Sequence, residues 1–230
     1  MSPNEVSENF TQSTVFCDMT IKTLQDSQKL TDKDSRITFF RKISQINDMT
    51  QISYDFYKRY LLTHQWWRDR FPNHIMSHRN KQNLCNSYDE FLRTNYMIEN
   101  YSALESSIRV IAKAFDTVEY EKRERSFDWL GNWFLEKIGL KEECELLHIF
   151  SNIRNSMHSN GIFAPLNNGD EELEYGGKKF TFKVGEFIQY GDWQNLFSIN
   201  KILCISFKSI TQNHDIIKLT FIKEPASDFW

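Results

Sequence analysis

Glycine and proline are scarce in this chain of 230 residues, and their scarcity limits the folds that it can adopt. Eight glycines and four prolines make up about 5% of the sequence, against about 12% in average proteins. Turn-rich β folds and disordered linkers are built from these two residues, so both classes are excluded. Six of the eight glycines lie between positions 161 and 191. The sequence therefore predicts a mainly α-helical protein with one irregular insert.

The remaining composition favours a globular protein that acts without a membrane. Hydrophobic residues make up 40% of the chain, which is enough for a core, and no apolar run reaches the roughly 18 residues of a membrane span. A net charge of −3 gives no global electrostatic case for nucleic-acid binding. With no apolar leader at the N-terminus and no Cys-x-x-Cys pair, we expect a cytoplasmic protein with free thiols and neither a metal nor a cofactor.

Apolar periodicity predicts helices over most of the chain. Residues 1–35 carry few apolar positions in a clear pattern, so they are predicted to form a loosely packed lead-in with at most a short helix. Helical spacing follows from 36 to about 71, with a possible break at Asn47-Asp48. A polar loop is predicted over 73–86, after which a capping box from Ser87 to Glu90 would begin the next helix.

The second half of the chain has clearer signals. A charged connector over 117–125 precedes helices predicted from 126 to 138 and from about 141 to 158. A β-hairpin turning at Gly176-Gly177 would place Leu173 opposite Phe180 and Glu174 opposite Lys179. Asp192 would cap a last, strongly apolar helix.

Two residues on the helix over 141–158 form the candidate site. Arg154 and His158 are four positions apart, so they point about 40° apart on the same helical face. Histidine can move a proton near neutral pH, and arginine can hold a phosphate with a planar fork. This pair suits cleavage of RNA by its own 2′-hydroxyl, which requires no metal. The alternative is a structural pair that caps helix carbonyls and bonds to Glu105 or to a loop.

Two other features have competing interpretations. The adjacent Trp66 and Trp67 indicate a core or subunit contact, or alternatively a platform on which bases stack. The acidic run from Asp170 to Glu174 would repel RNA if the hairpin overhung the candidate site, and would be harmless if it pointed away.

The segment Arg154-Asn155-Ser-Met-His158-Ser-Asn-Gly161 resembles the Arg-polar-…-His signature of HEPN domains. These domains are small helical bundles, and many are metal-independent ribonucleases of toxin–antitoxin, abortive-infection and CRISPR-associated systems. The resemblance extends over roughly residues 87–212 and includes a Glu-bearing helix over 102–109. It implies an N-terminal helical extension over 1–86 and a HEPN-like bundle over 87–230, with a hairpin at about 172–190 before the last helix.

The resemblance also implies roles for individual residues. Arg154 would bind phosphate, Asn155 would be the adjacent polar residue, and His158 would be the acid and base, with Glu105 as a supporting residue that orients Arg154. The family usually has four to six residues between Arg and His, whereas this chain has three. HEPN nucleases usually dimerise with their motifs facing each other, so the resemblance implies RNA as substrate, a homodimer, and a partner protein or antitoxin in phage defence. The alternative is an inactive HEPN-like domain that binds a partner protein.

Overall fold

The computed structural model describes residues 1–71, 77–124, 126–165 and 169–225. It confirms the prediction of a mainly α-helical fold with one antiparallel hairpin. No helix in these ranges is both long enough and apolar enough to cross a bilayer. The elements, in chain order, are α1 (Pro3–Gln28), α2 (Ser35–Phe56), a π-helical turn (Tyr57–Leu61), α3 (His64–Arg70), α4 (His78–Phe115), α5 (Thr117–Arg123), α6 (Phe127–Lys137), α7 (Glu142–His158), β1 (Glu171–Tyr175), β2 (Lys178–Phe182), α8 (Trp193–Thr211) and α9 (His214–Ile217).

The prediction of a loosely packed lead-in over residues 1–35 is wrong, because these residues form α1, a helix of 26 residues. Ser2 and Glu5 begin it with a capping box. One face is buried at positions three, four or seven apart, whereas Val15 and Met19 on the opposite face are exposed. The buried face is formed by Val6, Phe10, Cys17, Thr20 and Leu24.

α2 continues without a break through Asn47 and Asp48, so the interruption predicted there is wrong. Asn47 is fully buried, and its amide donates to Ser13 Oγ (2.9 Å) while its Oδ1 accepts from the Tyr96 hydroxyl (2.9 Å). Asp48 accepts a hydrogen bond from Thr14 Oγ1 instead of capping a helix. These polar side chains join α2 to α1 and α4, which explains why they lie inside a helix.

α4 begins at His78, so the capping box predicted at Ser87 is wrong. Ser77 caps the helix instead, and its Oγ accepts from the backbone N–H of Asn80 (3.2 Å). The predicted loop also fails, because its positions from 78 onwards are helical; those from 73 to 76 lie outside the described residues. α4 is thereby 38 residues long and contacts most of the other helices.

The helices of the second half largely follow their prediction. Ser126 caps α6, and Gly139, which ends this segment, has a φ of +78° that favours glycine. Asp192 caps α8 by accepting from the backbone N–H of Asn195 (3.0 Å). The charged connector contains a short helix, α5, which the sequence did not predict.

The hairpin has the predicted turn and register. The strands pair Leu173 with Phe180 and Glu174 with Lys179, and both glycines of the turn have positive φ. Phe180 is buried with Phe182 against the helices, while Lys179 faces solvent. Alternation of apolar and polar residues therefore fixes which face of the hairpin packs on the bundle.

Residues on both sides of position 86 contribute to the same buried cluster, and the division into two domains there stays a prediction. Phe10 of α1 shows how closely the two parts pack. Its ring makes edge-to-face contacts with Tyr96 of α4 (centroids 5.5 Å apart) and with Trp193 and Phe197 of α8 (5.4 and 4.8 Å).

The segment after α9 is fastened to the start of α2 by a buried ion pair. The side chains of Asp34 and Arg36 are both 0% exposed, and their closest contact is 2.7 Å. Arg36 also donates to the carbonyl of Ile216, and Asp34 accepts from the backbone N–H of Ile222. Further along, the buried Glu224 accepts from Ser35 Oγ and Lys42 Nζ. We call this arrangement the C-terminal clamp.

Candidate active site at the end of α7

α7 ends in a geometry that exposes the predicted motif. Asn160 adopts the left-handed conformation with φ of +56°, and the N–H of Gly161 donates to the carbonyl of Ser156 (2.8 Å). These are the marks of a Schellman cap, in which asparagine takes the position that usually belongs to glycine. The cap stops the helix directly after His158, so the motif occupies the last two turns.

The structure places Arg154 on the aromatic ring of Tyr101, a residue of α4. The guanidinium carbon lies 5.3 Å from the ring centroid, within the range of a cation–π contact. Nη1 donates to Oδ1 of Asn155 (2.9 Å), which is the only hydrogen bond that the guanidinium makes to a described residue. Arginine has five N–H groups, so most of its donors remain unused by the described part of the protein. The guanidinium is thus held in place and keeps donors for an anion.

His158 lies one turn further along the same face and is exposed. Its ring has no hydrogen bond or ion pair to any described residue. As the last helical residue it lies at the end of α7 where the helix dipole favours a positive charge. The structure therefore brings Arg154, Asn155 and His158 to one solvent-facing surface.

Glu105 is not joined to Arg154 by any hydrogen bond among the described residues. Its Oε1 instead accepts from Nε and Nη2 of Arg109 (2.9 and 2.8 Å), four positions later on α4. In the structure Glu105 is thus bound to Arg109, and its role in orienting Arg154 stays a prediction. The contacts with Tyr101 and Asn155 support the observed orientation of Arg154.

A chain of hydrogen bonds lies under Arg154. The Tyr101 hydroxyl is 2.9 Å from Ser151 Oγ, which donates to Oδ1 of Asp128 (3.0 Å). Because a carboxylate only accepts, the Ser151 proton goes to Asp128, and Tyr101 must be the donor to Ser151. Burial is the main cause that raises the pKa of Tyr101 to about 12; the hydrogen bond with Ser151 opposes it, and the charges of Asp128 and Glu105 raise the pKa further. Tyr101 is therefore protonated at neutral pH and does not act as a base.

The acidic hairpin run contacts α7 before the motif. Glu171 Oε2 meets His148 Nε2 (2.6 Å) and accepts from Asn152 Nδ2 (2.7 Å), and the N–H of Glu174 donates to Glu145. From Asn152 to His158 the helix rises about 9 Å. Glu171 is the side chain of this run that bonds to α7 among the described residues, and Asn152 lies about 3 Å before Arg154 along the helix axis. Glu172 instead pairs with Lys179, and Asp170 accepts from the backbone N–H of Val184.

A cleft of about 140 Å³ lies beside the helix cap. Met157, Asn160 and Gly161 line one side of it. The ring of Phe187, which is 73% exposed, covers Gly161 so closely that a Cβ added there would lie 3.3 Å from it. The positive φ of Gly161 favours glycine, and a side chain there would also require the exposed ring of Phe187 to shift. The surface next to the motif is consequently apolar as well as cationic.

Sequence reasoning missed three residues of this site: Tyr101, Ser151 and Asp128. Tyr101 lies on the buried face of α4, and Ser151 stands one turn before Arg154 in the motif helix. Helical spacing puts Ser151 near Arg154, but the approach of α4 and α6 to α7 depends on the tertiary fold. No cluster of three or more His, Cys, Asp or Glu side chains that could hold a metal ion occurs within the described ranges.

Known proteins give no independent guide to this site. No family model, no curated protein and no solved structure matches the chain. The resemblance to HEPN domains therefore rests on the motif residues and on the helices and hairpin around them.

Proposed function

We propose that the chain is a HEPN-like, metal-independent endoribonuclease that works in a bacterial defence or toxin-type system. The observation that carries this proposal is the placement of Arg154 and His158 on one exposed face. Arg154 is fixed over Tyr101 and keeps unused donors, while His158 makes no hydrogen bond or ion pair to the part of the chain that the structure describes. A fixed cation beside an unengaged imidazole is what transesterification of RNA needs.

In the proposed reaction, the 2′-oxygen of a ribose attacks the adjacent phosphorus and the bond to the 5′-oxygen breaks. The products are a 2′,3′-cyclic phosphate and a 5′-hydroxyl. His158 takes the proton from the 2′-hydroxyl or gives one to the leaving 5′-oxygen, and Arg154 stabilises the additional negative charge on the phosphate oxygens. Asn155 keeps the guanidinium in place through its Oδ1.

One imidazole cannot act as base and acid in the same step. A homodimer in which two α7 ends face each other would supply both groups, and this is the assembly that we propose. Light scattering should therefore detect a dimer at micromolar concentration. Mixed dimers of one wild-type and one His158→Ala protomer should cleave RNA at less than half of the wild-type rate.

The direct test is incubation with RNA in the presence of EDTA. Wild type is compared with His158→Ala and with His148→Ala, which removes another exposed histidine from the same helix. We expect cleavage by wild type and His148→Ala, loss of at least a hundredfold in His158→Ala, and products that end in cyclic phosphate. Equal cleavage by all three proteins, or cleavage by none, would remove the catalytic proposal.

The second candidate function is a non-catalytic interaction module that binds a partner protein or antitoxin. Phe187 favours it, because this largely exposed ring lies on Gly161 directly beside the motif. Exposed aromatic residues with arginine nearby are typical anchors of protein interfaces. Under this alternative, Phe187→Ser would abolish capture of the partner, whereas His158→Ala would leave it unchanged.

A further inference from the structure

The strongest charge asymmetry of the chain lies far from the candidate active site. Residues 57–81 contain six Lys or Arg and one Asp, so this segment carries +5. The chain as a whole carries −3, so all other residues together carry −8. We call the described residues of this segment, 57–71 and 77–81, the basic tip. A polyanion would be drawn to the tip and repelled by most of the remaining surface.

The basic tip is built on a small buried cluster. The π-helical turn ends at Leu61, whose carbonyl accepts from Trp67 Nε1 (2.8 Å) and from the thiol of Cys85 (3.2 Å). These two residues form a small buried cluster with Leu61, separate from the main core. The cluster attaches α3 to the first turns of α4. Cationic side chains of both helices are consequently presented by one rigid support.

Aromatic rings form the exposed surface of this unit. Trp66 makes edge-to-face contacts with Trp67, Phe56 and Phe71, at centroid separations of 4.9, 6.1 and 6.2 Å. Phe56 and Phe71 are each 39% exposed, and Tyr60, which packs on Phe56, is 47% exposed. π-Helical turns are frequently found at functional sites, and this one carries Tyr60. Several aromatic rings of the tip thus have one face exposed to solvent, while their other face or edge packs on a neighbouring ring.

Five cations of the basic tip make no ion pair with any described residue. Lys58 is paired with Asp55 (3.3 Å), and Arg68 donates only to the neutral Gln65. The five cations without an ion pair are Arg59, Arg68, Arg70, Arg79 and Lys81. Four of the five are arginines, which bind phosphate with two parallel hydrogen bonds and also stack on bases. Free guanidinium groups beside half-exposed rings are the combination used to hold an unpaired nucleotide strand.

We propose that the basic tip binds single-stranded RNA, with bases stacked on Tyr60 and its neighbouring rings and phosphates held by Arg59, Arg70 and the other free cations. A double helix would keep its bases away from these rings, so a single strand is favoured. From Lys81 to Tyr101, α4 rises about 30 Å. The tip is therefore separate from the Arg154 surface, and RNA binding there does not require that surface to be catalytic.

The test is fluorescence anisotropy with a labelled oligouridine of about 12 nucleotides, a length within the usual site size of such surfaces. His158→Ala serves as the parent protein, so that cleavage cannot affect the signal. Arg59→Ala/Arg70→Ala should weaken binding about tenfold and reduce the slope of log K against log salt by about 1.4, because each lost phosphate contact on a single strand contributes about 0.7. Tyr60→Ala should weaken binding at least fivefold and leave the salt slope unchanged.

The matched control is Lys137→Ala/Lys141→Ala. It removes the same charge from exposed positions near the opposite end of α4, where Phe115 contacts Phe134 of α6. Its affinity for RNA should stay within twofold of the parent. Circular dichroism checks that all variants, which change exposed side chains, are folded.

Three results would overturn the proposal. The first is an equal loss of affinity in the Lys137→Ala/Lys141→Ala control and in the arginine variant, which would mean that only net charge matters. The second is a duplex of the same length that binds as tightly as the single strand, which would exclude stacking of bases on the rings. Finally, co-sedimentation with phosphatidylserine vesicles that is lost in the tip variants, with RNA binding unchanged, would assign the surface to a membrane.

Discussion

The coupling free energy between Arg154 and Tyr101 can be measured without any assumption about catalytic activity. The guanidinium carbon lies 5.3 Å from the ring centroid, and Arg154 is half-buried. Cation–π contacts contribute about 0.5–1 kcal/mol when exposed and about 2 kcal/mol when desolvated. For this intermediate case we expect a coupling free energy of about 1 kcal/mol.

The measurement is a double-mutant cycle followed by urea denaturation. Arg154→Met keeps much of the apolar stem and removes the charge, while Tyr101→Leu removes the ring. The cost of Arg154→Met should be about 1 kcal/mol smaller in the Tyr101→Leu background than in wild type. Tyr101→Phe is the matched control, because it retains the ring and removes only the hydroxyl that donates to Ser151. In this background Arg154→Met should cost as much as in wild type.

Equal costs of Arg154→Met in the tyrosine and leucine backgrounds would refute the geometry described for the site. A reduced cost in the phenylalanine background would instead assign the coupling to the hydroxyl and its hydrogen-bond chain. Either outcome would remove the cation–π contact with the Tyr101 ring as the support that holds Arg154.

Three further predictions concern the fold. Arg36→Met leaves the fully buried carboxylate of Asp34 without its cation and should lower the free energy of unfolding by about 3–5 kcal/mol in urea, so a loss below 1 kcal/mol would contradict the clamp. Phe10→Ala should cost about 3–5 kcal/mol by the same assay if α1 belongs to the core, and a loosely attached helix would lose much less. Burial raises the pKa of Glu143, so the contribution of this carboxyl to stability is fully present below its unfolded-state pKa and is lost as the pH rises through its folded-state pKa. Glu143→Gln should therefore have a higher Tm than wild type at pH 7, and the two Tm values should converge below about pH 4. A Tm difference that is the same at every pH would contradict this prediction.

The hairpin and the helices after residue 126 could be predicted because their signals are local. A two-residue Gly-Gly turn and strict alternation determine the register of Leu173 opposite Phe180. Ser126 and Asp192 each accept from the backbone N–H three positions later, so their role depends on neighbouring sequence alone.

α1 could not be found in this way, because polar residues interrupt its apolar face. Ser13 and Thr20 occupy core-facing positions, and Ser13 is accommodated there by the amides of Asn47 and Asn200 from α2 and α8. Such compensation comes from partners far along the chain. The start of α4 is similar, because its polar first turns are held by the packing of Cys85 on Leu61 and Trp67.

The residues of the candidate site also fall into those that the local sequence predicts and those that only the tertiary fold brings together. Arg154, Asn155 and His158 follow each other on one helix, so a motif can bring them together in sequence. Tyr101 and Asp128 reach the site from α4 and α6, and only the tertiary fold shows that they lie under Arg154.

The C-terminal clamp has a consequence for the order in which the protein can be made. Arg36 donates to the carbonyl of Ile216, and its ion-pair partner Asp34 accepts from the backbone N–H of Ile222, so the pair is completed by residues about 180 positions later in the chain. At ribosomal rates of about 5–20 residues per second, this segment leaves the ribosome roughly 10–40 s after Arg36 does. During that interval the charge of Arg36 stays hydrated, and the start of α2 lacks its final cover. The helices can form as they emerge, but the core around α2 closes only after synthesis has passed residue 222.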